Sequence, residues 1–139
     1  MSFFHNPALA RFSYAAMRVI TGLLYMQHGA QKLFGVLGGV DGHGATAHTL
    51  LAGVAGVLEF FGGFLIVIGL FTRIVAFLLS GEMAYAYWMV HVARGGLIPI
   101  QNRGEFAALL CFVFLFLAFN GAGAWSVDAR RERRAGAPA

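Results

Sequence analysis

Cysteine is almost missing from this chain: Cys111 is the only one in 139 residues. No disulfide can therefore form within one chain, and with no C-x-x-C pair there is no thiol–disulfide relay. Charge is scarce as well. Asp, Glu, Lys and Arg together make up 12% of the residues against 59% hydrophobic ones, a balance far too apolar for an ordinary soluble domain. The sequence carries no nucleotide-binding glycine loop and no cluster of metal-ligating residues. His43 and His48 lie among flexible glycines with one nearby acid, Asp41, which does not make a closed metal site. No metal is expected, and any redox role would have to use a bound cofactor.

What the chain does have is long apolar runs. Four of them, 15–34, 49–71, 74–92 and 105–119, approach the ~20 residues that a helix needs to cross a bilayer. Lipid offers no partner for backbone groups, so runs of this length without strand alternation are expected to be helical. The fold class read from the sequence is all-α, a four-transmembrane-helix bundle. The first run is longer than a signal-peptide core and no small-residue cleavage site precedes Lys32, so it is expected to be retained. Arg11, Arg18, Arg73 and the group Arg130, Arg131, Arg133 and Arg134 fall on one side, with Lys32, Arg94 and Arg103 on the other. The positive-inside rule then puts both termini in the cytoplasm. The division is a cytoplasmic segment over 1–14, a membrane domain over 15–120, and a solvated basic tail over 121–139. Such a tail beside a membrane helix reads as a topology anchor touching anionic lipid, with no nucleic-acid role.

Six acids serve the whole chain, yet Glu59, Glu82 and Glu105 lie within or at the edge of apolar runs. A carboxylate in a bilayer costs at least ~2.5 kcal/mol, so such residues turn inward, meet a basic partner and mark functional pathways. At ~100° per residue, Arg18, Thr21, Tyr25, His28 and Lys32 share one face of the first helix. Glu59 shares its face with Ala52, Ala55, Gly56, Gly62, Gly63 and Ile66, small residues that let a neighbouring backbone come close. Glu82, Tyr85 and Met89 lie on one side of the third helix, with His91 roughly opposite if the helix stays regular. The expected site is a polar pocket in the outer half of the bundle above a buried acid pair. Its candidates are Arg18, Tyr25, His28, Lys32, Glu59, Glu82, Tyr85, Arg94 and Glu105. The preferred pairings are Lys32 with Glu59 or Glu105, and Arg18 reaching toward Glu82; the alternative is a set of ion pairs that only lock helix register.

The two longer connections, 35–48 and 93–103, are rich in glycine and fall on the outer face. Thr72 and Arg73 form a connection that is barely a turn. Most of the fourteen phenylalanines are accounted for by lipid-facing or core packing. Tyr85 and Trp88, near Glu82, have what a quinone head group needs beside a hydrogen-bonding acid or histidine. Bis-histidine haem ligation by His28 and His91 is disfavoured, because the two rings are not aligned on one interior.

Several stretches carry a family resemblance. Arg18-Val-Ile-Thr-Gly22 followed by His28-Gly-Ala-Gln-Lys32-Leu-Phe-Gly35 resembles the first-helix signature of the DoxX family of small membrane proteins. Glu59-Phe-Phe-Gly62-Gly63 with Gly69-Leu-Phe-Thr-Arg73 resembles its second-helix signature. The ending Gly121-Ala-Gly123-Ala-Trp-Ser126-Val-Asp128 is similar to the family's, with Ala122 where proline is common. The resemblance implies a four-helix protein of the bacterial inner membrane and, in one branch, association with thiosulfate:quinone oxidoreductase. Arg18, His28, Lys32, Glu59 and Arg73 carry over as family-like positions.

The leading expectation is a quinone-linked membrane component of a redox system, with quinone as the cofactor. His28 or Glu59 would handle protons, and Lys32, Arg94 or Arg103 would attract an anionic donor. The alternatives are a noncatalytic subunit docking onto a larger complex, or a small-solute carrier. The expected partners are the lipid bilayer and either another membrane subunit or a second copy of the chain.

Overall fold

The computed structural model of the chain describes residues 5–136; residues 1–4 of the expected N-terminal segment and 137–139 of the expected tail lie outside the described residues. Among the described residues every extended regular element is helical. The first helix, α1, runs Pro7–Phe34 and so begins before the apolar run does. Its start is set locally: the Asn6 side chain accepts from the Ala8 amide at 2.9 Å, and Pro7 fits a first turn that has no use for its missing N–H. Gly35, at φ 65°, ends it in the left-handed conformation.

Helix α2 spans Leu50–Ile68 and is the one described helix long and apolar enough to cross a membrane by length and composition. It contains a π-turn at Leu58–Gly62. Helix α3 covers 72–95, with a second π-turn at Tyr87–Val92. A short α4, Pro99–Asn102, leads into α5, Glu105–Asn120, which is apolar but shorter than a typical span. The chain closes with α6, Val127–Arg134.

These helices pack as two antiparallel pairs, α1 with α2 and α3 with α5. Glycine sets the first pair. A Cβ on Gly22 would lie 2.7 Å from the Gly63 carbonyl oxygen, and one on Gly29 would run into the backbone of Phe60. The small-residue face of α2 is therefore the one that meets α1, with the two backbones in contact. The second pair is joined by Ser80, whose hydroxyl donates to the Cys111 carbonyl at 2.8 Å, and by Arg73, which donates to the carbonyls of Ala118 and Phe119. The core shared by both pairs holds Tyr25, Ile66, Leu79, Met83, Leu110, Phe114 and Leu117, with the rings of Tyr25 and Phe114 edge-on at 4.9 Å.

The radial distribution is reversed relative to a water-soluble domain. Arg18, Glu59, Thr72 and Ser80 are buried, whereas Leu50, Ile74, Phe77, Leu109, Phe112 and Phe119 are exposed. Large contiguous apolar exteriors of this kind mark an interaction with lipid or with another protein.

The stretch after Asn120 departs from the solvated tail expected of it. Gly121, Ala122 and Ser126 are buried, and Val127–Arg134 is helical. Among the groups that hold it down, the Tyr14 hydroxyl donates to the Gly121 carbonyl at 2.7 Å, and the Asp128 carboxylate accepts from the amides of Phe71 and Thr72, both at 2.9 Å. Polar composition hid this, because the polar side chains here serve backbone groups at a helix start, as caps do.

Candidate functional site

Two buried polar centres lie along α1. At the first, the Arg18 guanidinium is 1% exposed and donates to the carbonyls of Ile66 and Val67, each at 2.7 Å, and of Trp125 at 2.6 Å. The first two acceptors belong to the last turn of α2, where carbonyls run short of intrahelical donors; that of Ile66 also accepts from the Gly69 amide at 3.2 Å. Gly69 makes this approach possible: at φ 67° it turns the chain, and a Cβ there would strike Ser126 and lie 2.6 Å from the guanidinium. Ser126 caps α6 by accepting from the Ala129 amide at 3.1 Å, and the Asp128 amide donates to the Gly69 carbonyl at 2.9 Å. Arg18, Gly69, Ser126 and Asp128 thus form a clasp that ties α1, the α2–α3 turn and the start of α6 together.

Arg18 does not reach Glu82, contrary to the expected pairing. A guanidinium presents several donors in a fixed fork, and three backbone carbonyls from two segments take those of Nη1 and Nη2 without any carboxylate, while Nε is buried with no partner among the described residues.

The second centre is the acidic one. Lys32 Nζ lies 2.5 Å from Glu59 Oε1, in a pair that buries the Glu59 side chain to 4% exposure and Lys32 to 25%. Glu59 is therefore the acid that answers Lys32, and Glu105 is on the exterior. Glu82 takes its hydrogen bond from Tyr25, whose hydroxyl donates to Oε2 at 2.9 Å. The Tyr25 side chain, 1% exposed, is within electrostatic reach of both carboxylates. The second oxygens, Glu59 Oε2 and Glu82 Oε1, are buried with no hydrogen-bond partner among the described residues. Glu59 sits in the π-turn of α2, a distortion that adds a residue to a helix and occurs often at functional sites.

The remaining candidates separate from this centre. His28 is exposed on α1, its ring 5.1 Å from that of Phe106 on α5. Tyr85 and Arg94 are exposed on α3. His91, in the second π-turn, is half-buried, with Nδ1 3.1 Å from the Asn102 carbonyl. Asn102, which sequence reasoning passed over, is 7% exposed and organises the 96–104 connection, donating to the Gly96 carbonyl and accepting from the Gly104 amide, both at 2.7 Å.

Two clefts open at the clasp end, and neither includes Lys32 or Glu59. One, of about 420 Å³, is lined by Thr72, Arg73, Gly121, Asp128 and Glu132; the other, of about 310 Å³, by Ile68, Trp125, Arg130 and Arg133. The Lys32–Glu59 pair is outside both clefts, with Glu59 buried and Lys32 partly exposed.

Comparison with known proteins places the chain. Residues 13–92 match the DoxX family. The chain belongs to that family. An uncharacterized protein of Haemophilus influenzae is 43% identical over 117 residues, 82% of this chain and 87% of that protein. CatD of Bacillus subtilis, provisionally named as an oxidoreductase, is 31% identical over 81% of each chain. An uncharacterized membrane protein of Mycobacterium tuberculosis is 29% identical, covering 88% of this chain and 83% of its own length. No solved structure matches. The stretch matched to DoxX contains Arg18, Tyr25, Lys32, Glu59 and Glu82, while the far side of the clasp, Trp125 to Asp128, lies beyond it.

Proposed function

We propose that this DoxX protein is a quinone-linked component of a redox system in a bacterial inner membrane, built as a four-span bundle with both termini in the cytoplasm. The observation that carries the reading is the acidic centre. Two carboxyl oxygens, Glu59 Oε2 and Glu82 Oε1, are buried without hydrogen-bond partners among the described residues, inside a protein whose exterior is apolar. Unmet polar groups at that depth cost free energy and are kept where they have a use. The reading is also supported by the oxidoreductase name given to CatD and by the thiosulfate:quinone oxidoreductase branch that the family resemblance implies.

The residues present fit a quinone head group in type. When bound, a quinone supplies reversible uptake of two electrons and two protons. Lys32 fixes one oxygen of Glu59 and leaves the other open to a donor; Tyr25 does the same for Glu82. His28, beside Phe106 on the exterior between α1 and α5, offers an aromatic edge and a proton-carrying ring on the side from which a lipid-soluble molecule would approach. The four spans are α1, α2, α3 and α5, of which α2 meets the length and apolarity test alone; the others are kept inward-facing by the polar residues they bury.

Quinone retained through purification tests the site. Glu59→Gln and His28→Ala should each lose it while keeping wild-type helicity; retention by both at the wild-type level removes these residues from the site. Orientation is tested separately by Ala135→Cys in a Cys111→Ser background. An impermeant thiol reagent should label inverted vesicles and not right-side-out cells, and the opposite pattern reverses the topology.

A further inference from the structure

The 310 Å³ cleft at the clasp end is lined by Ile68, Ala124, Trp125, Ser126, Val127, Arg130 and Arg133, and nothing above gives it a role. We propose that it is a binding site for the headgroup of an anionic phospholipid, with Arg130 and Arg133 on the phosphate and Ile68, Trp125 and Val127 against the start of an acyl chain. The proposal rests on the membrane reading above, because it needs the end of α2 to lie where hydrocarbon gives way to headgroups.

Three observations carry it. The first is position. Ile68 is the last residue of α2, the helix long and apolar enough to span, so the cleft opens where that span ends. Trp125, 61% exposed and edge-on to Phe12 at 6.1 Å, stands at its mouth, and tryptophan is the side chain that favours the headgroup level.

The second is how α6 sorts its charges. Asp128 and Glu132, four residues apart, line the 420 Å³ cleft, whereas Arg130 and Arg133, three apart, line this one. A helix with six charged residues in eight thus puts its acids on one side and these two arginines on another. The third is that the arginines have no carboxylate of their own. Among the described residues the one ion pair is Lys32–Glu59, so both guanidiniums keep their donors for an outside anion. Guanidinium forks match phosphate oxygens in geometry, and the apolar walls select a phosphate that arrives attached to a hydrocarbon chain.

The test uses the full chain purified in mild detergent, with native mass spectrometry after addition of phosphatidylglycerol or phosphatidylcholine. The wild type should retain phosphatidylglycerol preferentially. Each arginine near an anionic surface contributes about fivefold, so Arg130→Gln/Arg133→Gln should lower the retained fraction roughly twenty-five-fold. Arg11→Gln, which removes a basic residue outside the cleft, should leave retention unchanged. Inorganic phosphate in large excess should not displace the lipid. Equal retention by the double variant, equal loss in Arg11→Gln, or displacement by phosphate alone would each overturn the proposal. Quinone content in Arg130→Gln/Arg133→Gln should match the wild type, and the vesicle labelling at Ala135→Cys reports the topology independently, so the readings fail separately.

Discussion

Arg18 and Lys32 stand on the same face of one helix, and their surroundings differ in kind. The Arg18 guanidinium meets backbone carbonyls from two segments and no acid. Lys32 meets a carboxylate, and at that centre one oxygen each of Glu59 and Glu82 has no hydrogen-bond partner among the described residues. A cation that answers carbonyls holds a fold together, because those acceptors exist wherever a helix ends. An acidic centre with unmet oxygens has capacity left over for a proton, a hydroxyl or a head group. The comparison assigns the Arg18 end to architecture and the Lys32 end to chemistry.

Substitutions can break that division, and the largest effect is expected at Arg18. Arg18→Met takes a donor from three carbonyls, of which that of Ile66 keeps the Gly69 amide, and at about 1–3 kcal/mol for each of the other two the protein should lose about 2–6 kcal/mol. Arg18→Lys should recover little of it, since one ammonium lacks the planar fork. Denaturant unfolding in detergent checks both, and full stability of Arg18→Lys would refute the clasp reading.

Lys32→Met should cost about 2–3 kcal/mol, below the usual figure for breaking a buried pair because Lys32 is partly exposed. The double change Lys32→Met/Glu59→Met should recover most of that stability and abolish quinone retention. If the double variant keeps its quinone, the pair is only a register lock. Asp128→Ala removes the acceptor for two amides at the start of α3 and should cost about 2 kcal/mol, with no change in quinone content. A loss of quinone there would show that the two ends are coupled. The smallest effect belongs to Tyr25→Phe, about 0.6–1 kcal/mol for one hydrogen bond within a membrane protein, read by the same unfolding transition. Because it leaves Glu82 with both oxygens unmet, it should alter quinone retention more than it alters stability.

Much of the inward geometry was legible in the sequence, since helical periodicity alone put Arg18, Thr21 and Tyr25 on one face and all three are buried. It also put His28 there, yet His28 is exposed beside Phe106 because it lies at the edge of that face. The small-residue side of α2 was readable for the same reason. The partner of Arg18 was not, because a backbone carbonyl has no letter in the sequence. Reading charge against charge led to Glu82, and Glu82 is answered by a tyrosine. The final motif, Gly121 to Asp128, was visible as a pattern and read as a tail, since nothing local says that Asp128 finds its amides 56 or more residues away. The two π-turns carry no compositional mark. The second of them contains His91, for which the expectation was counted around a regular helix.

The π-turn at Leu58–Gly62 has a consequence for the spacing of α2. It lies between Gly56, which packs on Leu33 and Lys32, and Gly63, which packs on Gly22 and Met26. Were the same residues wound as a regular α-helix, the relative phase of the two glycines would change by about 100° and one of them would swing off its neighbour. The surplus residue works as a phase shifter: it lets one straight partner be touched at two heights while the carboxylate between them stays aimed indoors.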